Sequence, residues 1–364
     1  MTAPPGLGAV VDHHRIVVCT GSGGVGKTTT AAVVAMEAAR RGRRACVVTI
    51  DPARRLANAM GLAGLTDTAT LVEGPWPGEL WALMLDTKST FDALVAKHAS
   101  DPDQAEAILS NRFYRNISGA LSGTQEYMAM EKLYELHHED GYDVVVVDTP
   151  PTRNALDFLD APRRLTRFLD HRLYKLLMTP TRGLARAVNV AAQAFLRTVS
   201  KVVGGDVVAD SIEFFTAFDG MEAGFSERAD AVVDLLTHEE TAFVLVTAPR
   251  RDVVAEATFF AEKLHEADIP VRALVVNRVH PHFTDAPADT LRMRAATHAG
   301  TDLGELYANL AEFATVAASE DDHLHGLSAR VAPAPVVKVP FLDTDVHDLE
   351  GLGRIARHLF PGDR

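Results

Sequence analysis

The stretch Gly21-Ser-Gly-Gly-Val-Gly-Lys-Thr28 decides the fold of this 364-residue chain. It matches the pattern G-x-x-x-x-G-K-[ST] and lies between an apolar run at residues 15–20, which predicts a strand, and a helical pattern at residues 27–41. Glycines let backbone N–H groups turn inward around phosphate oxygens, and the helix N-terminus adds the positive end of its dipole. The sequence therefore predicts a nucleotide-binding loop.

Every residue of this loop, with the threonine that follows it, is expected to contact ATP. The binding set is Gly21, Ser22, Gly23, Gly24, Val25, Gly26, Lys27, Thr28 and Thr29. We expect Lys27 to bridge the β- and γ-phosphates and to act in catalysis, and the hydroxyl of Thr28 to ligate Mg²⁺.

Two carboxylates follow predicted strands and complete the expected site. Asp148 ends the apolar run 142–147, where it is expected to belong to the metal site by accepting from magnesium-bound water or from the Thr28 hydroxyl. Asp51 ends the run 45–50, and we expect it to orient or deprotonate the attacking water. Magnesium ligation is the main alternative for Asp51, and capping of a following helix or turn is the ordinary alternative for both residues.

The remaining apolar runs predict a doubly wound, mostly parallel α/β sheet. Further strands are expected at residues 80–85, 241–247, 271–276 and 336–339, separated by helical patterns. Residues 87–140 and 153–238 contain several helical patterns without a strand, so they are interpreted as insertions that form one helical subdomain. Residues 12–364 are predicted to form a single ATPase domain that carries these insertions.

The bulk composition excludes several classes of function. The net charge of -13 argues against nucleic-acid binding, because an acidic chain repels the phosphate backbone. The two cysteines, Cys19 and Cys46, lie inside apolar runs and are typical of buried thiols in a reducing compartment. No signal peptide and no transmembrane segment are recognisable, so a cytoplasmic location is expected.

Five short motifs carry a family resemblance. The phosphate loop with Thr29 resembles the deviant Walker A loop GKGGVGKTT of the SIMIBI class of P-loop NTPases. The others are similar, in the same order, to motifs of the ArsA and tail-anchored-protein-targeting ATPase family: Asp51-Pro-Ala53, Asp148-Thr-Pro-Pro-Thr152, Val276-Asn-Arg278 and Val339-Pro-Phe-Leu342. The resemblance covers residues 15–360.

The resemblance implies further site residues and a mode of action. It implies that Asn277 reads the adenine base and that Pro340 and Phe341 pack beside it. It also implies a dimer that hydrolyses ATP with Mg²⁺ and, through nucleotide-gated closure, binds or releases a protein partner. In the targeting branch that partner is a hydrophobic client helix held by the helical subdomain. The apolar stripe of Phe214, Phe215, Phe218, Met221 and Phe225 would line such a groove or, more commonly for such a stripe, would form core.

Several departures from the family pattern keep other functions open. Ser22 replaces the lysine that in the family reaches across the dimer, and Arg153-Asn154 replaces Gly-His. The chain is therefore either a homodimer with slow turnover, a partner of a paralogue that supplies the lysine, or an ATP-binding regulatory subunit. A membrane-positioning ATPase like MinD is a further alternative, because residues 348–359 predict an amphipathic helix with basic residues.

Overall fold

In a computed structural model of the chain, residues 6–50, 55–117, 124–138, 141–150 and 205–362 are described. Some predictions made from the sequence concern residues outside these ranges. They are the predictions for Asp51, for Pro151 to Asn154 and for the helices expected over residues 153–204.

The chain divides into two compact units. Unit 1 takes Met1–Met84, Leu136–Ala155 and Thr237–Arg364, and unit 2 takes Leu85–Glu135 and Leu156–Leu236. The single-domain assignment and the insertion boundaries drawn from the sequence remain predictions.

Eight strands form one sheet in the order β3-β4-β2-β5-β1-β6-β7-β8. Their bounds are β1 Ile16–Thr20, β2 Arg44–Thr49, β3 Thr70–Val72, β4 Glu79–Met84, β5 Val144–Asp148, β6 Thr241–Thr247, β7 Val271–Val279 and β8 Val336–Pro340. Every neighbouring pair is parallel except β3 with β4. The predicted α/β fold with a mostly parallel sheet is confirmed, and the short antiparallel strand β3 is an addition.

The helices complete the layers. Their bounds are α1 Leu7–His13, α2 Lys27–Arg40, α3 Arg55–Ala59, α4 Thr87–His98, α5 Pro102–Ser110, α6 Arg112–Ile117, α7 Thr124–His138, α8 Gly205–Phe218, α9 Glu222–Thr237, α10 Arg251–Glu266, α11 Ala288–Thr297, α12 Asp302–Val331 and α13 Leu349–Leu359.

The centre of the sheet is apolar on both faces, which is why its strands are continuous hydrophobic runs. All residues of β1, β5 and β6 are buried. The parallel register pairs Cys19 with Asp148, and Thr49 with the same Asp148. The carboxyl ends of β1, β2 and β5 therefore meet at one edge, where the chain leaves β1 to form the phosphate loop.

Helix α13 uses its apolar face inside the fold. Leu352, Ile355 and Leu359 are buried, and the helix packs against α2 and β8. Because this face covers the sheet, packing within the fold accounts for the apolar side of the amphipathic helix predicted at residues 348–359. None of the helices that the structure describes combines the length and the apolar character needed to cross a membrane.

Unit 2 is held together by an aromatic core. Phe214 stacks against Tyr114 at 6.0 Å between ring centroids, and Phe218 lies 5.0 Å from Phe225. Phe214, Phe218, Met221 and Phe225 are each no more than 2% exposed. Of the two interpretations of this stripe, core packing is the one that the structure shows for these four side chains.

Candidate functional site

Close contacts require glycine at two positions of the phosphate loop, and Gly24 between them has a positive φ of 75° as well. Gly21 has φ 148°, and a Cβ added there would lie 2.0 Å from the carbonyl oxygen of Val246. Gly26, with φ 97°, would place a Cβ 2.2 Å from Nδ2 of Asn277. Neither position can carry a side chain without moving a neighbouring strand or side chain, so the local sequence follows from the close approach of β6 and β7.

Lys27 begins α2 and turns its side chain back across the loop. Its Nζ donates to the carbonyl oxygen of Ser22 at 2.8 Å, and the residue is only 6% exposed. A buried ammonium group at the start of a helix is suited to phosphate oxygens, because it adds a full charge to the positive end of the helix dipole.

Asp148 is the centre of a small network of oxygen atoms. Its Oδ2 accepts from the Thr28 hydroxyl at 2.7 Å and from the Thr49 hydroxyl at 2.8 Å, and the residue is 1% exposed. A hydroxyl beside a carboxylate is a set of hard oxygen donors, which is what Mg²⁺ prefers. Thr28 and Asp148 therefore fit the magnesium role predicted for them. Thr49 was not predicted because it belongs to no motif, and only the register of β2 with β5 places it beside Asp148.

Cys19 lies beside this network but does not fit a metal. Burial, and secondarily the Asp148 carboxylate, raise the pKa of the Cys19 thiol far above its usual range. The thiol is therefore protonated at neutral pH and remains a core side chain. The prediction that Cys19 and Cys46 are buried free thiols is confirmed.

The turn after Asp148 is fixed at its start. Thr149 is buried, and its hydroxyl donates to the carbonyl oxygen of Cys19 at 2.9 Å. Directly after β2, the amide of Ile50 donates to the carbonyl oxygen of Asp148 at 3.3 Å. Since Asp51 lies outside the described residues, its catalytic role stays a prediction.

Asn277 is brought to the phosphate loop from the far end of the sequence. Its Nδ2 donates to the carbonyl oxygen of Val25 at 2.8 Å. The amide carbonyl Oδ1 is the kind of acceptor that the amino group of adenine needs. The contact shows Asn277 supporting the loop, and its predicted contact with adenine remains a prediction.

Arg278, the next residue, was not assigned a role from the sequence. It has φ 63°, and the register of β7 with β8 shifts between Asn277 and Val279. An arginine in the left-handed region costs about 1–3 kcal/mol, so the surrounding structure must impose it. One guanidinium nitrogen approaches the carbonyl oxygen of Gly24 at 3.4 Å.

Phe341 offers an exposed aromatic face two residues after Val339, the residue that pairs with Asn277 in the sheet. The phenyl ring is 62% exposed, and the amide of Phe341 donates to Val279 on β7 at 2.9 Å. The ring of His280 lies nearly parallel to it at 6.4 Å between centroids, and Glu320 holds His280 through two hydrogen bonds of 2.7 and 2.8 Å. Pro340 ends β8 directly before Phe341. An aromatic face beside an amide suits a planar base, but the adenine contacts of Pro340 and Phe341 stay predictions.

Ser22 faces a cavity of about 260 Å³ between the loop and α10. The lining residues include Ser22, Glu256, Phe259 and Phe260, and Ser22 is 8% exposed. The lining contains a carboxylate and no basic side chain. The position that carries a lysine in the resembled family therefore contributes no charge in this chain.

Comparison with known proteins places the whole chain among ATPases. Residues 14–312 match the family model described as anion-transporting ATPase. An ATPase GET3 of Malassezia globosa is 24% identical over 98% of this chain and 94% of that protein, and an ATPase GET3 of Phaeosphaeria nodorum is 24% identical over 80% and 85%. A putative arsenical pump-driving ATPase of Halobacterium salinarum is 32% identical over 44% of this chain and 26% of its own length.

Proposed function

Because the chain belongs to the anion-transporting ATPase family and is thereby an ATPase, we propose that it hydrolyses ATP with Mg²⁺ in a nucleotide-gated dimer that binds or releases a protein partner. The network of Thr28, Thr49 and Asp148 beside the phosphate loop is the observation that carries this proposal.

The role proposed for each residue follows from the chemical group that it places in the site. Lys27 and the loop amides hold the phosphates, and Lys27 balances the charge of the transferred phosphoryl group. Thr28 and Asp148 would hold Mg²⁺, which would neutralise phosphate charge. Thr49 keeps the Asp148 carboxylate in place, and Asp51 is the proposed residue that orients the attacking water.

A protein partner is supported by the uneven burial of helix α12. In its first half Leu303, Leu306 and Phe313 are 46%, 65% and 38% exposed. Further along the same stripe, Leu324 and Val331 are buried against the rest of unit 1. The spacing of three and seven residues places them on one side of the helix and suits packing against another helix. An exposed apolar stripe of this kind is typical of a protein contact.

The nature of the partner follows in part from unit 2 and from Ser22. The resemblance to the ArsA and tail-anchored-protein-targeting ATPases implies a dimer and a hydrophobic client, and relatives named ATPase GET3 are consistent with that resemblance. Such a client would have to bind outside the stripe of Phe214, Phe218, Met221 and Phe225, since those side chains fill the core. Ser22 favours either a homodimer with slow turnover or a heterodimer with a paralogue that supplies the lysine; in the second case this chain is a regulatory subunit.

The magnesium claim is tested by comparing the wild type with Asp148→Asn in ATP hydrolysis over a series of Mg²⁺ concentrations. We expect Asp148→Asn to lose about 10²-fold or more in kcat, because the charge that anchors the metal is gone. The control is Asp289→Asn, which changes an exposed carboxylate paired with Arg292. A rate that is independent of Mg²⁺ in the wild type, or equal in wild type and Asp148→Asn, would contradict the proposal.

A further inference from the structure

The backbone of Arg278 points to a role for its side chain. The residue occupies the left-handed region with φ 63° at an irregularity of β7. A turn in that region is ordinarily made by glycine or asparagine, which adopt it at little steric cost. An arginine there is compatible with folding only because its surroundings impose it, and such residues cluster at ligand sites.

The guanidinium of Arg278 places a positive charge beside the phosphate loop. Arg278 is exposed, and its guanidinium lies at the lip of the phosphate loop, 3.4 Å from the carbonyl oxygen of Gly24. Among the residues that the structure describes, no carboxylate pairs with it. Asn277, the adjacent residue, bonds to Val25 of the same loop at 2.8 Å. The irregularity of β7 thus directs a positive charge to the outer side of the loop.

The second residue of the phosphate loop, Ser22, carries no positive charge. Ser22 is neutral, and Glu256 lines the cavity beside it. The four negative charges of ATP are then met by Lys27, the helix dipole and Mg²⁺, so one more cation near the loop would strengthen binding.

We propose that Arg278 is a nucleotide-binding residue whose guanidinium contacts the phosphates of ATP from the outer side of the loop and supplies the charge that Ser22 lacks. The proposal rests on the function proposed above. A phosphate is a better match than a neutral ligand, because the planar fork of N–H donors pairs with two phosphate oxygens at once. The same fork would also suit a carboxylate of a second copy of the chain, and the experiment separates these two ligands.

The experiment uses Arg278→Gly, because glycine removes the charge and also relieves the left-handed backbone. The dissociation constants of ATP and ADP with Mg²⁺ are measured by calorimetry for wild type, Arg278→Gly and Arg278→Lys, with Tm recorded for each. We expect Arg278→Gly to keep or raise the Tm while the dissociation constant of ATP rises about tenfold or more. The ATP affinity of Arg278→Lys should lie between those of the wild type and Arg278→Gly. Arg330→Ala, which removes an exposed arginine paired with Glu262, is the matched control and should bind like the wild type.

The ionic-strength dependence provides a readout that a purely structural arginine would not change. The affinity of the wild type for ATP should fall more steeply with NaCl than that of Arg278→Gly. Wild-type affinity and salt slope in Arg278→Gly would overturn the proposal. It would also be overturned if affinity is unchanged while dimerisation in analytical ultracentrifugation is lost, since the ligand is then a carboxylate of a second copy. If the wild type itself binds no ATP, the proposed function fails first, which keeps the two failures distinct.

Discussion

The phosphate-loop edge of unit 1 and the aromatic core of unit 2 are built on different physical principles. The structure of the loop depends on contacts of individual atoms. Gly21 and Gly26 leave no room for a Cβ, and one oxygen of Asp148 accepts from two hydroxyl groups. In unit 2, rings such as Phe214 and Phe225 pack at centroid distances of 5 to 6 Å without a directional requirement. A local motif therefore identifies the first region and its role, whereas the sequence of the second shows an apolar stripe and only burial shows that it forms core.

The largest expected effect on stability comes from the aromatic core. Phe214→Ala should lower the free energy of unfolding by about 3–5 kcal/mol, because a large buried side chain is replaced by a cavity. Urea denaturation at 25 °C measures this loss. Phe283→Ala is the control, since that ring is 61% exposed. If Phe214→Ala is as stable as the control, the core interpretation of the stripe is wrong and a client groove becomes the better interpretation.

The corresponding substitution at the phosphate loop should affect ATP binding more than stability. Gly21→Ala forces a Cβ against the Val246 carbonyl, and we expect a loss of about 1–3 kcal/mol together with the loss of measurable ATP binding. Gly326→Ala is the control, because nothing lies within 4 Å of the Cβ it would add. Calorimetric titration with ATP distinguishes the two variants. Normal ATP affinity in Gly21→Ala would show that the loop tolerates what its geometry excludes.

The smallest expected effect is an acid sensitivity of unit 2. Burial lowers the pKa of His98 below its usual 6.5, and its ring lies 5.3 Å from that of Phe225. The unfolded chain then binds the proton more readily, so the contribution of His98 to stability is present above pH 6.5 and is lost as the pH falls towards the lowered pKa. His98→Gln should flatten the pH dependence of Tm between about pH 7 and 5. An unchanged slope in His98→Gln would assign the acid sensitivity to other groups.

The same comparison explains what the sequence could predict. Seven strands, the helix beginning at Lys27 and the presence of several helices within residues 87–140 follow from apolar runs and helical patterns. Strand β3 was missed because three residues, two of them exposed, carry no pattern. Helix α1 was missed because it precedes any motif and has no capping side chain.

At the site, the sequence identified residues with a chemical signature and missed those defined by position. Lys27, Thr28 and Asp148 belong to motifs, and the structure brings them to one edge of the sheet. Thr49 and Arg278 are ordinary residue types, and only the register of β2 with β5 and the irregularity of β7 reveal them. Arg278 had one usable signal, a positive charge directly after Asn277.

The most direct test of the central claim is the rate of Mg²⁺-dependent ATP hydrolysis per molecule. It is measured for the purified chain alone over a wide range of protein concentration, with Lys27→Ala as the control. The account predicts a rate that depends on Lys27 and rises with concentration as dimers form. A rate equal to that of Lys27→Ala at every concentration, despite tight ATP binding, would contradict a self-sufficient ATPase dimer and leave the regulatory subunit as the remaining function.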